Sequence, residues 1–122
     1  MAGLTNTEAQ ATLDVRFPTS AATDYVAYSA NGTTETGSLA RTSVGATGWS
    51  AATAADPSVK ANANVLNTAT ASAGVTVTHF AIYSASTGGT QRTDWTALSA
   101  PRTLASGEGT SWSIGALQVT LT

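Results

Sequence analysis

The residue of this chain best suited to acid–base chemistry is its single histidine, His79. It falls within Val75–Tyr83, whose β-branched and aromatic residues predict a strand, and positions 69–89 contain no carboxylate. One histidine cannot build a metal site with several histidine ligands, and no Gly-x-Ser-x-Gly motif supports a Ser-His-Asp set. We therefore expect His79 to be buried or to lie at an interface, and we predict no catalytic residues and no enzymatic activity.

Seven carboxylates are the other candidates for catalysis or metal binding, and most fall in predicted turns, at strand starts or on the first predicted helix. They are Glu8, Asp14, Asp24, Glu35, Asp56, Asp94 and Glu108. Carboxylates in turns usually cap the backbone or face solvent, which is the role we favour, although the sequence alone leaves a glycosidase pair open. Their spacing does not match a calcium loop, and the chain has no cysteine. We therefore predict no metal and no cofactor.

The aromatic side chains could form either a core or a ligand platform. They are Trp49, Trp95, Trp112, Tyr25, Tyr28, Tyr83, Phe17 and Phe80. This set is about what the core of one small β-sandwich needs, and a core is the role we favour. Exposed Trp and Tyr rings can alternatively form a platform for carbohydrate, which an exposed, coplanar pair of Trp rings would indicate.

Few charged side chains are available to build a binding surface. Charged residues make up 10% of the 122 residues, against about a quarter in ordinary soluble domains. The basic residues are dispersed along the whole chain: Arg16, Arg41, Lys60, Arg92 and Arg102. We therefore predict no surface for nucleic acid and none for anionic membranes.

Ala, Thr and Ser together supply about half of the chain. Hydroxyl-bearing side chains keep a surface wet without charge, and because they are short they lose little rotamer entropy when packed against a neighbour. This composition favours a protein that works within an assembly, although a GC-rich genome would enrich the same residues. Met1–Leu4 has no basic flank or apolar run, so we expect no signal peptide, and no apolar stretch is long enough to predict a membrane span.

The first segment predicts a helix over residues 4–17. Thr5 and Glu8 have the spacing of a capping box, and Ala9, Leu13 and Phe17 recur every four residues on one face before Pro18 ends the helix. We expect that face to pack on its own domain; the alternative is an arm lying on a neighbouring subunit.

Residues 24–122 predict short strands separated by turns. The predicted strands are 25–28, 39–44, 47–53, 59–65, 75–83, 92–98, 101–104, 112–114 and 117–122, with turns at Asn31-Gly32, Asp56-Pro57, Gly88-Gly89 and Gly107–Gly109. In 59–65 apolar Val and Ala alternate with Lys and Asn, which predicts a half-buried strand. At the C-terminus we expect Trp112, Ile114, Leu117, Val119 and Leu121 to face the core. The sequence thus predicts one all-β domain over 1–122, an antiparallel β-sandwich of jelly-roll or Ig-like type with a short N-terminal helix.

Several of these segments are similar to those of a widespread family of small tailed-phage virion proteins, often labelled tail fibre, minor tail or capsid decoration proteins. The matching segments are Leu4-Thr5-Asn6, Tyr25–Ser29, Val77–Tyr83, Gly88-Gly89, Trp95–Leu104 and Gly107–Leu121, which together span nearly the whole chain. Trp112 stands at the aromatic position of the C-terminal motif. The chain departs from the family pattern mainly by a shorter, more polar second hairpin at Thr33–Ser38.

The resemblance implies a structural protein of the phage particle, located in the virion and assembled in the host cytoplasm. Within that class we favour capsid decoration, because a compact domain of low charge suits repeated placement on a lattice. The alternative is a minor tail or short tail-fibre protein, and a second alternative is a carbohydrate-binding β-sandwich module. The expected partners are other virion proteins, chiefly the major capsid protein, and copies of the chain itself, with surface carbohydrate as a further candidate.

Overall fold

The helix and strands of the computed structural model follow one another along residues 3–20 and 22–121, which are the residues the structure describes. The helix is α1 (Asn6–Arg16), and the strands are β1 (Tyr25–Ser29), β2 (Thr42–Ser43), β3 (Ser58–Ala61), β4 (Leu66–Asn67), β5 (Val75–Tyr83), β6 (Thr96–Leu104), β7 (Ser111–Trp112) and β8 (Gln118–Leu121). Met1 and Ala2, on which the signal-peptide expectation partly rests, and Thr122 of the predicted last strand lie outside the described residues.

Four antiparallel strands form the larger sheet, in the order β2-β1-β5-β6. Strand β5 is its longest central strand, and its pairing with β1 sets Val26 opposite Ile82 and Tyr28 opposite Phe80. All four of these side chains are buried in the core. The run of β-branched and aromatic residues in β5 therefore forms the centre of the sheet, as the sequence predicts.

The second layer consists of two antiparallel pairs, β3 with β8 and β4 with β7. Residues 48–53 run alongside β3, where the Ser50 N–H donates to the Ala61 carbonyl oxygen at 2.8 Å. The two layers meet in one core, in which the rings of Tyr28 and Trp112 stack with centroids 6.1 Å apart. The predicted all-β antiparallel sandwich is thus confirmed.

Helix α1 begins and ends as its sequence predicts. Thr5 is the N-cap, and its hydroxyl oxygen accepts a hydrogen bond from the Glu8 N–H at 3.2 Å. Ala9, Leu13 and Phe17 are all buried, so the predicted apolar face packs against the chain's own sandwich, over β3 and β8. The helix is therefore part of the domain and not a free arm.

Several predicted strands are shorter or less regular than expected. Only Thr42–Ser43 of segment 39–44 pairs as a strand, segment 47–53 makes one isolated bridge, from Trp49 to Asn62, and the strand predicted at 92–98 begins at Thr96. From Ala97 to Arg102, β6 advances five residues while β5 advances two, from His79 to Val77, so β6 carries a large bulge. The bulge, Pro101 and Arg102 protect this exposed edge of the larger sheet from pairing with another strand.

In segment 59–65 the alternation of apolar and polar residues predicts that the apolar side chains face the core, and this prediction is wrong. Lys60 and Asn62 point inward, with 0% and 1% of their surface exposed, whereas Val65 is 54% exposed. The polar side chains can be buried because they find partners inside the sandwich. The Asn62 side chain accepts from the Leu117 N–H and donates to the Ser113 carbonyl, both at 2.9 Å. No buried side-chain polar atom in the described part of the chain lacks a hydrogen-bond partner.

The C-terminal core prediction holds for most of its residues. Trp112, Leu117 and Val119 are buried, and Leu121 packs against the core while partly exposed. Ile114 is 66% exposed, so its predicted core position is wrong. Strand β7 ends at Trp112, and a turn closed by a 3.0 Å bond from the Ala116 N–H to the Ser113 carbonyl turns Ile114 outward.

Candidate functional site

A half-open cleft of about 570 Å³ lies between α1, β8 and residues 92–96. Strand β8 pairs only with β3, so its other edge is free, and Thr96 begins the edge strand β6 of the larger sheet. The cleft therefore lies where the edges of the two layers come close without pairing, and the helix closes one end. Its volume is in the range of small-molecule sites in proteins.

Apolar side chains form the floor of the cleft. Leu13 and Phe17 come from the helix, and Val119 and Leu121 come from β8. Phe17 packs edge-on against Trp49, with ring centroids 5.6 Å apart and planes at 68°. Because the first three of these side chains are also core residues, the floor is as rigid as the core beneath it.

Arg92 fixes the wall of the cleft to the end of the helix. Its Nη1 donates to the Arg16 carbonyl oxygen at 3.0 Å, and its Nε lies 3.5 Å from Asp24 Oδ1. The buried Asp24 carboxylate also accepts from Trp49 Nε1 at 2.9 Å. One guanidinium thus connects the C-terminal carbonyl of α1, which favours a nearby cation, to the core.

A second ion pair fastens α1 to the layer below it. Lys60 Nζ, fully buried, lies 2.8 Å from Asp14 Oδ1 and donates to the Ser50 carbonyl at 2.8 Å. Partial burial is the largest effect on the pKa of Asp14 and raises it. The hydrogen bonds from Lys60 and the Ala52 N–H, with the Lys60 charge, outweigh it together and hold the pKa below its ordinary value.

The remaining basic residues, with one exception, also make internal contacts. Arg41 binds Glu35 through two hydrogen bonds of 2.8 Å and lies over the Tyr83 ring, 3.9 Å from its centroid. The hydrogen bond to Glu35 is the main cause that raises the pKa of Arg41. Arg102 lies over the Trp112 ring at 4.9 Å.

Arg16 is the exception. Its exposed side chain makes no hydrogen bond, ion pair or ring contact with any residue between 3–20 or 22–121, and it lines the cleft. Asp94, also exposed, lines the cleft too, together with the hydroxyl or amide groups of Thr12, Thr96, Gln118 and Thr120. The lining therefore offers both hydrogen-bond donors and acceptors above an apolar floor.

The cleft does not bring together the groups that hydrolysis of a glycosidic bond requires. That reaction ordinarily uses two carboxyl groups flanking the bond, and Asp94 is the one carboxylate among the described lining residues. Asp14, Asp24 and Glu35 are occupied in ion pairs, and Glu108 accepts a 2.7 Å hydrogen bond from the Ala105 N–H.

His79 is half-buried in β5 and does not line the cleft. Its Nδ1 is 2.7 Å from the Thr78 hydroxyl, and its ring packs on the Asn31-Gly32 turn so closely that a Cβ at Gly32 would lie 2.9 Å from Nε2. Gly32 also has a φ of 76°, which favours glycine. Within the described residues no three His, Asp or Glu side chains are grouped as a metal site would require.

The tryptophans do not form a carbohydrate platform of the kind considered from the sequence. Trp49 and Trp112 are each 2% exposed. Trp95 is half-buried and packs on Tyr83, with ring centroids 6.2 Å apart and planes tilted by 50°. Because Trp49 and Trp112 are both buried, the described residues contain no exposed, coplanar pair of Trp rings.

Comparison with known proteins identifies the class of the chain. Residues 3–120 match the family model described as podophage GP4 fiber I protein gp80. The chain therefore belongs to this family, which confirms the resemblance to small tailed-phage virion proteins and makes it a structural protein of a phage. A search of the curated proteins found no match. In the described ranges, no helix has the length and apolar character needed to cross a membrane.

Proposed function

We propose that this chain is a non-enzymatic subunit of a tail fibre in the assembled phage particle. The observation that carries the proposal is the family match over residues 3–120, because the family is described by a fibre protein. The sequence alone favours capsid decoration, with a short tail fibre as the alternative. The family description favours the fibre, and a capsid location is one outcome of the experiment below.

The surface of the chain supports a role in assembly. Four of its five basic side chains are used internally, and much of the remaining surface consists of Thr, Ser and Ala. Large apolar side chains stand exposed at Val15 on the helix and at Leu4 before it. Val65, just before β4, and Ile114, shortly after β7, are exposed as well. We propose that other virion proteins and further copies of this chain cover such residues, with contacts made by apolar and hydroxyl groups.

Phage particles that lack the chain test this proposal. A fibre subunit affects contact with the host, so these particles are expected to retain their DNA at the same temperature as wild type and to adsorb more slowly. Supplying the intact chain during assembly should restore adsorption. Particles that adsorb normally but release DNA at a lower temperature would assign the chain to capsid decoration instead. Unchanged adsorption and unchanged heat stability would contradict both assignments.

A further inference from the structure

We propose that the cleft between α1, β8 and residues 92–96 binds a neutral saccharide of one or two rings, held by Arg16 and Asp94 above Phe17. The ligand site is a property of the isolated chain. In infection the site would contact a glycan on the host surface, and this role rests on the proposed fibre location.

Arg16 differs from the other basic residues in its contacts. Charged residues are scarce in this chain, and the other four basic side chains are committed to carboxylates or aromatic rings. Arg16 is committed to neither among the described residues and lines the cleft instead. An arginine with free donors beside a cavity is well suited to hydrogen-bond an oxygen-rich ligand.

The cleft contains side chains of both charges, and so offers both hydrogen-bond donors and acceptors. Asp94 lines the same cleft as Arg16, and Arg92 in the wall is already paired with buried Asp24. The opposite charges of Arg16 and Asp94 balance, so the cleft has no net charge to attract a polyanion or a polycation. A neutral sugar suits both, because its hydroxyl groups donate to a carboxylate and accept from a guanidinium.

The floor of the cleft is apolar and belongs to the core. Phe17 and Val119 are held in the core, and a saccharide ring presents C–H groups on one face that can pack on such an apolar surface. The wall and the helix end are fixed by Arg92, and α1 by the Lys60–Asp14 pair. A pre-formed site loses less entropy on binding, so even a shallow cleft can select a ligand.

The half-open shape of the cleft predicts weak binding by a single copy. Many copies on one particle would nevertheless bind a surface glycan strongly, because each further contact is intramolecular once the first has formed. The expected dissociation constant for the isolated chain is therefore in the millimolar range, on the order of 1 mM.

The test titrates the ¹⁵N-labelled chain by NMR with neutral and acidic mono- to tetrasaccharides. Each sugar is raised to about 20 mM, so that a ligand of millimolar affinity is detected. We expect the largest chemical-shift changes at Arg16, Asp94, Thr96 and Gln118. Arg16→Gln and Asp94→Asn should each weaken binding at least tenfold, since each removes a charge-assisted hydrogen bond.

Matched controls separate the cleft from the rest of the surface. Arg102→Gln removes an exposed arginine elsewhere, and Asp56→Asn removes an exposed turn carboxylate; both should bind like wild type. Amide spectra of all four variants establish that they are folded. Exclusive binding of acidic sugars, a preference for acidic peptides, shifts outside the cleft, or no shift with any neutral sugar at about 20 mM would each overturn the saccharide site. None of these results bears on where the chain lies in the particle.

Discussion

Two regions of the sandwich interior are stabilised by different means. Around Trp112 the contacts are aromatic and apolar: its ring stacks on Tyr28, and Trp112 Nε1 donates to the Tyr28 hydroxyl at 3.2 Å. Under α1 the contacts are ionic: buried Lys60 meets Asp14, and Arg92 meets Asp24. The chain thus uses two ion pairs, made by four of its five basic and seven acidic residues, where α1 docks, whereas the region around Trp112 depends on large rings.

The largest effect is expected from removing a ring in the aromatic region. Trp112→Ala should lower the free energy of unfolding by about 3–5 kcal/mol, the usual cost of truncating a buried large aromatic residue. Trp112→Phe, which keeps a ring but loses the bond to Tyr28, should cost about 1–2 kcal/mol. Chemical denaturation of both variants checks this order. A loss below about 1 kcal/mol for Trp112→Ala would show that the ring does not support the core.

The ionic region should respond asymmetrically to loss of its two partners. Asp14→Ala leaves the buried Lys60 ammonium without its carboxylate and should cost about 3 kcal/mol. Lys60→Met keeps most of the buried volume and leaves Asp14 in contact with water, because that side chain is 36% exposed. Its cost should stay below about 1.5 kcal/mol. Equal losses for the two variants in urea melts would contradict the burial assigned to Lys60.

The ionic region also predicts how stability depends on pH. Since the pKa of Asp14 is lower in the folded state, its stabilising effect is complete above the unfolded value, about 3.9, and declines as the pH falls through the folded value. Wild type should therefore be more stable than Asp14→Asn at pH 5, and the difference should shrink as the pH falls below the unfolded value. Urea melts across this range measure it. A difference that stays constant would exclude the Lys60–Asp14 pair as its source.

The smallest expected effect concerns salt. Because most basic side chains are paired within the chain, its contacts with neighbours in the particle should change little between about 0.05 and 1 M NaCl, where screening of exposed charges becomes nearly complete. Sedimentation of particles followed by quantification of the bound chain measures this. Release of the chain at high salt would show that ion pairs join it to its neighbours.

The difference between the apolar and the ionic region also explains which parts of the structure could be predicted from the sequence. The apolar alternation of Leu117, Val119 and Leu121 identifies a core face because one side of the strand meets solvent. The same logic fails at Lys60, whose burial depends on Asp14, a residue on the helix distant in sequence. Ile114 fails because a turn after Trp112 breaks the alternation, which no local pattern indicates.

The candidate site could not be predicted from the sequence, because the residues that form it are distant from one another along the chain. Arg16 and Arg92 are 76 positions apart and meet only through the packing of α1 against the sandwich. Neither they nor Asp94 forms a motif by spacing. The sequence did provide one signal: with only five basic residues, each deserves a structural explanation, and Arg16 is the one for which the described residues supply none.

The central claim, that the chain is a subunit of the phage tail fibre, is tested most directly by locating it on the particle. Antibodies against the purified chain, visualised with gold on intact phage, should label the fibres and leave the head unlabelled, while particles lacking the chain should show no label. Gold distributed over the head surface would contradict the fibre assignment and make the chain a capsid decoration protein.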